Sequence, residues 1–180
     1  PISEIIREAA EPHSKRGIKI ESCFFPEDGA ELAQPIVFRQ PEIIHGLRNM
    51  MQNAVDFSRS KVSVNVAWTE DVLRIEILDD GPGFPIGILP RIGDPFMGVR
   101  RSEGGNSKRP GYEGMGLGLF IAKTLLERTG AELTFSNGRQ EDQMKKSARF
   151  NIGAIVKVSW LRSKIEQPSG ALGKNQTLKI

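Results

Sequence analysis

Two asparagines four residues apart, Asn49 and Asn53 in "NMMQNAVDFS", fall on one face of a helix. Asparagine is a mediocre helix former, and a pair at this spacing makes a small oxygen-bearing face. A side-chain carbonyl there can take one position around magnesium, an ion that keeps several waters and shares phosphate oxygens. The same pair also suits the solvated side of a surface helix. Further on, "DDGPGFP" sets Asp79 ahead of Gly81 and Gly83. An ionised carboxylate only accepts hydrogen bonds, and the exocyclic amine of adenine donates them. The two glycines would let a flat base lie against the turn. An Asp-Gly turn with no ligand fits the same residues. A third stretch, "GMGLGLF", places Gly114, Gly116 and Gly118 around Met115 and Leu117 where a helix begins. Free N–H groups at a helix start attract phosphate, and glycine admits it closely; packing at a glycine-rich helix entry is the other use. Neither usual phosphate motif is present. Leu119 replaces the third glycine of G-x-G-x-x-G, and no G-x-x-x-x-G-K-[ST] occurs.

Hydrophobic periodicity predicts the elements that hold these groups. A helix spans 2–11 and Pro12 ends it. A strand runs from Ile18 to Phe24, and "PIVFRQ" reads as a short second strand before Pro41. The asparagine helix follows to Ser58, with Ile44, Leu47, Met51 and Ala54 on its buried stripe and His45, Asn49 and Asn53 on another. Two alternating strands, "KVSVNVAW" and "VLRIEILD", come next. Asp79 shares the parity of Leu73, Ile75 and Ile77, so its carboxylate points to the buried side. Residues 85–113 lack periodicity and read as a lid. A helix of about 115–129 puts Leu117, Ile121, Leu125 and Leu126 inward. Strands at "AELTFSN" and about 150–161 complete the pattern, and residues 162–180 read as a disordered tail.

The 180 residues suit one domain with a sizeable core. A net charge of +3 gives no bulk case for nucleic acid, and no apolar run is long enough to span a bilayer. The single cysteine, Cys23, forms no internal disulfide; its apolar strand context reads as a small buried hydrophobe. The chain opens at Pro1 and reads as a fragment of a longer protein.

In order and spacing, N-x-x-x-N-A on a helix, D-x-G-x-G after a strand, a Phe-containing lid and G-x-G-x-G at a helix start resemble the ATP-binding domain of sensor histidine kinases. That superfamily includes gyrase, mismatch-repair and heat-shock chaperone ATPases. "NAVDFS", "IGDPFMGVRRS" and "RPGYEGMGLGLFIAKTLLERTGA" look most like the RegB/PrrB/ActS group of redox-responsive kinases. The resemblance covers residues 1–161. It implies an α/β two-layer sandwich of the Bergerat type: a mixed, mostly antiparallel sheet of about five strands, with three helices on one face. It implies that Asn53 holds magnesium with Asn49 in support, and that Phe57 borders the adenine. Asp79 would bind the adenine amine beside Gly81 and Gly83. Phe96 would anchor the lid, while Lys108, Arg109 and Tyr112 would close over ATP. Backbone from Gly114 through Met115, Gly116, Leu117 and Gly118 would cradle the phosphates.

Three positions depart from the family pattern. Asp56 stands where many histidine kinases carry a base, and Ala154 and Ile155 stand where a glycine-threonine is common. Asn49 occupies the place where related ATPases have a water-activating Glu, and an amide is no general base. A kinase half-site is therefore expected rather than an ATPase clamp; a degenerate nucleotide-binding module is the further alternative. Neither His13 nor His45 has the acidic and Thr-Pro context of a phosphoacceptor. The acceptor histidine and its general base are expected on a dimerisation domain upstream. The expected partners are that domain and a response regulator, with the isolated fragment monomeric and cytoplasmic.

Overall fold

The computed structural model describes residues 1–14, 16–87, 89–92, 115–138 and 153–167. The elements, in order, are α1 (Ile2–Ala10), β1 (Lys19–Pro26), α2 (Pro41–Phe57), β2 (Lys61–Trp68), β3 (Val72–Asp79), α3 (Met115–Arg128), β4 (Glu132–Asn137), β5 (Ala154–Leu161) and α4 (Arg162–Ile165). The five strands form one open sheet in the order β1-β2-β3-β5-β4. β1 runs parallel to β2, and every other pairing is antiparallel. This is the mixed, mostly antiparallel sheet expected from the sequence.

Alternation explains the core. Val62, Val64 and Val66 of β2, Leu73, Ile75 and Ile77 of β3, and Val156, Val158 and Trp160 of β5 are all buried. They meet Ile2, Ile5, Ile6 and Ala9 of α1, the stripe of α2, and Leu119, Ala122 and Leu126 of α3. Opposite-parity residues such as Ser63, Asn65, Arg74 and Glu76 are polar and half-buried, so the second layer covers one face. Pro41 starts α2 where its missing N–H costs nothing. Gly46 lets α2 and α3 approach closely: a Cβ there would lie 2.5 Å from Leu126 Cγ. The two buried indoles are satisfied, Trp68 Nε1–H donating to the Glu31 carbonyl (2.9 Å) and Trp160 Nε1–H to Thr129 Oγ1 (2.9 Å).

Several expectations change. "PIVFRQ" is not a sheet strand; Val37 makes only an isolated antiparallel bridge with Glu166. Phe38 N–H donates to the Ile165 carbonyl, and Gln167 N–H to that of Ile36, both at 2.8 Å. Folded structure therefore runs past residue 161, because α4 carries Ile165 into the core at 1% exposure. Residues 168–180 lie outside the described set. The strand start expected near Phe150 also falls partly outside it. In α3 Leu126 is buried as expected, joined by Leu119 and Ala122; Leu125 is half-buried and Ile121 is exposed, while the Leu117 side chain lies outside the described set. Cys23 is exposed, not buried. On edge strand β1 it has the parity of Glu21 and Phe25, opposite to Ile20 and Phe24, which pack against the core.

Candidate functional site

β3 ends by carrying Asp79 into the interior, where it is 6% exposed. Its Oδ1 accepts two backbone N–H groups, from Gly81 (2.8 Å) and from Ala154 on β5 (3.1 Å). Oδ2 has no partner among the described residues, and the side chain lines a cleft. Burial pushes the Asp79 carboxyl above its ordinary range; the N–H groups of Gly81 and Ala154 oppose this, while the charge of Asp80 adds to it. The result is an acceptor held rigidly by one oxygen, on a side chain that lines the cleft.

The neighbouring carboxylate does different work. Asp80 accepts Arg59 N–H (2.7 Å), Ser60 N–H (3.1 Å to each oxygen) and Ser60 Oγ–H (2.6 Å). Its partial burial would raise the pKa, but these donors, led by Ser60, hold it down at about 2. Asp80 thus ties the α2–β2 connection to the end of β3.

Glycines allow the close approaches around Asp79. A Cβ on Gly81 would collide with the Phe57 carbonyl, and one on Gly153 would lie 2.5 Å from the Gly81 carbonyl oxygen. Gly83 has φ +79°, a left-handed conformation that a side chain would strain.

The cleft is tight, with an inner volume of about 20 Å³, room for little more than a water molecule. Met50, Ala54 and Phe57 of α2, Ile77, Phe84, Leu119 and Val156 supply apolar walls, with Asp79 and Asn53 as its polar side chains. Asn53 Nδ2–H donates to the Asn49 carbonyl (2.7 Å). A Cβ on Gly118 would sit 3.6 Å from Asn53 Nδ2, so the first turn of α3 stands against the asparagine helix. Free N–H groups at that helix start favour an anion.

Of the residues singled out by sequence, the fold brings Asn53, Phe57, Asp79 and Gly83 to the cleft, with Gly81 beneath the turn and Gly118 beside Asn53. Asn49 contributes its carbonyl; its side chain does not line the cleft. Met115, Gly116 and Leu117 belong to the first turn of α3. Phe96, Lys108, Arg109, Tyr112 and Gly114 lie outside the described residues. Asp56 pairs with Arg16 (2.6 Å) and accepts from Gln52 Nε2–H (2.8 Å). Phe84, Ala154 and Leu119 line the cleft without having been singled out for it. The alternation of β5 held a signal for Ala154, since it placed that residue on the inward face.

Residues 39–162 match the family described as histidine kinase-, DNA gyrase B-, and HSP90-like ATPase. The chain belongs to this family. Among relatives of this ATPase domain, sensor histidine kinase RegB of Cereibacter sphaeroides is 54% identical over 160 residues, which is 89% of this chain and 35% of the relative. The chain therefore spans about a third of that protein's length. The mycobacterial sensor histidine kinase MprB superposes with TM-score 0.61 at 19% identity, covering 89% of this chain and 95% of that one. The catalytic domain of histidine kinase ThkA superposes with TM-score 0.61 at 21% identity, covering 91% and 95%. Full-length ShkA in complex with AMPPNP does so at the same TM-score and identity, covering 93% of this chain and 30% of that one. At these identities the structural likeness establishes a shared fold.

Proposed function

We propose that the chain is the ATP-binding catalytic domain of a two-component sensor histidine kinase. The observation that carries this reading is the buried Asp79, with Oδ1 saturated by two backbone donors and the side chain lining an apolar cleft. Such a carboxylate selects a ligand edge that donates, as the adenine amine does. Phe57 and Phe84 would flank the base, with Gly83 in the same wall. The triphosphate would extend toward the first turn of α3, where Met115, Gly116, Leu117 and Gly118 provide helix-start N–H groups and Phe96, Lys108, Arg109, Tyr112 and Gly114 would add closure from the lid.

Magnesium fits the donor set at Asn53, an oxygen ligand that would share the ion with phosphate oxygens and water. Bound there, it would offset charge on the transferring phosphoryl. Among the described residues no group of three or more His, Cys, Asp or Glu could hold a metal ion by itself.

In the reaction a histidine nitrogen of a separate dimerisation domain attacks the γ-phosphorus, the bond to the β,γ-bridging oxygen breaks, and ADP leaves. The phosphoryl is then relayed to a response regulator. This chain's share is binding and orientation, which can supply much of the acceleration for phosphoryl transfer. Its histidines suit no acceptor role: His13 is 2% exposed, and His45 lacks the sequence context. We place the domain on the cytoplasmic side of a redox-responsive, membrane-tethered sensor and read the isolated domain as a monomer. No described helix is long and apolar enough to cross a membrane.

Calorimetric titration with ADP and ATP, with and without magnesium, tests the reading. Saturable, magnesium-sensitive binding followed by phosphorylation of an added acceptor domain is expected. Binding without transfer would favour a regulatory nucleotide module, and transfer to water alone would favour an ATPase clamp.

A further inference from the structure

Asn137 closes β4, an edge strand, yet its side chain reaches a turn far away in sequence. Its Oδ1 accepts the Phe84 N–H (2.7 Å) and its Nδ2–H donates to the Phe84 carbonyl (2.8 Å). The amide thus pairs with one backbone residue as a neighbouring strand would. Two residues earlier on the same face of β4, the Phe135 ring meets the Phe84 ring edge-on, with centroids 6.0 Å apart and planes at 83°. Asn137 also fills the space beside Gly83, where a Cβ would come within 2.7 Å of Oδ1. Gly83 and Phe84 both line the cleft. β4 therefore grips the wall of the cleft by backbone and ring while contributing no cleft-lining side chain among the described residues.

We propose that Asn137 is a positioning residue for the base-binding wall, an inference that rests on the nucleotide reading above. Only a short side chain carrying both a donor and an acceptor can satisfy both Phe84 groups. Aspartate lacks the donor, serine cannot span both atoms, and glutamine is a methylene too long. Without the amide, Phe84 loses its fixed height over the base, and each adenine ligand loses the same part of its affinity. The phosphate end is untouched.

The test compares Kd values for adenosine, ADP and Mg-ATP in wild type, Asn137→Ala and Asn137→Asp, at a temperature where circular dichroism shows all three folded. Leu133→Ala, on the same face of β4 and packed on the core but not lining the cleft, controls for loss of stability. Asn137→Ala is expected to weaken all three ligands by a common factor of about ten, with Asn137→Asp in between and Leu133→Ala at wild-type affinity. Equal affinity in Asn137→Ala and wild type would leave Asn137 a fold-stabilising contact and overturn the proposal. So would a loss confined to Mg-ATP, or an equal loss in Leu133→Ala. A wild-type domain that binds none of the three ligands would overturn the nucleotide reading itself.

Discussion

Replacing Asp79 by asparagine separates folding from binding, because the two are expected to move in opposite directions. Asparagine Oδ1 can keep both N–H donors that Asp79 Oδ1 now accepts, from Gly81 and Ala154. The buried negative charge disappears. Since burial raises the Asp79 pKa in the folded state, the charged form opposes folding; its contribution is most favourable below about 3.9, the unfolded value, and is lost as pH rises through the folded pKa. At neutral pH Asp79→Asn should therefore be at least as stable as wild type. For the ligand, the atom facing the cleft changes from acceptor to donor. An adenine amine would lose a hydrogen bond to a charged group, worth about 1.5–3 kcal/mol, and would meet an N–H in its place. A total near 3 kcal/mol corresponds to roughly a hundredfold in Kd. Urea unfolding at pH 7 and calorimetric titration with ADP on the same preparation give both quantities. An affinity within threefold of wild type would refute the assignment of Asp79 to the base. A stability loss above about 1 kcal/mol would refute the account of its burial.

Three further outcomes are expected. His13 is buried with neither ring nitrogen hydrogen-bonded among the described residues, and burial lowers its pKa, with Arg16 and Arg48 acting the same way against Asp56 and a backbone contact at Arg48. The unfolded chain then binds the proton first, so stability is full above the ordinary histidine range near 6.5 and falls as pH drops toward the folded value; urea midpoints between about pH 7 and 5 should show this in wild type and much less in His13→Phe. Gly46→Ala should cost about 1–3 kcal/mol by overpacking against Leu126, which is fully buried, and should lower Tm by roughly 2–4 °C per kcal/mol. Asn53→Ala should remove the gain in ATP affinity on adding magnesium, measured by titration, while adenosine affinity stays near wild type.

What the sequence made legible was local. The parity of Leu73, Ile75, Ile77 and Asp79 follows from two-residue alternation, and it carried the carboxylate to the correct face before any fold was known. The α2 stripe was equally readable, because Ile44, Leu47, Met51 and Ala54 repeat at helical spacing. The failures were long-range. Val37 pairs with Glu166 near the other end of the described chain, and nothing within "PIVFRQ" announces that partner. Asn137 ends the strand predicted at "AELTFSN", and nothing in that stretch announces that its amide pairs with Phe84. Leu126 is inward as its spacing suggests, but the space it enters is the one left at Gly46, a contact between helices that spacing within α3 does not encode. Ile165 folds inward because the segment at 36–38 gives its backbone partners, not because its own neighbours are apolar.

The position of β4 at the sheet's edge has a consequence for exchange kinetics. Within the sheet β4 pairs with β5 on one side, and no described strand lies on its other side; an element paired on one side opens more readily than one held on both. Yet its last residue holds Phe84, so each opening of β4 would release the wall over a bound base. Ligand escape would then share its rate-limiting motion with deuterium uptake in Leu133, Thr134 and Phe135. Saturating nucleotide, by holding Phe84 from the cleft side, would slow amide exchange in a strand that it never touches.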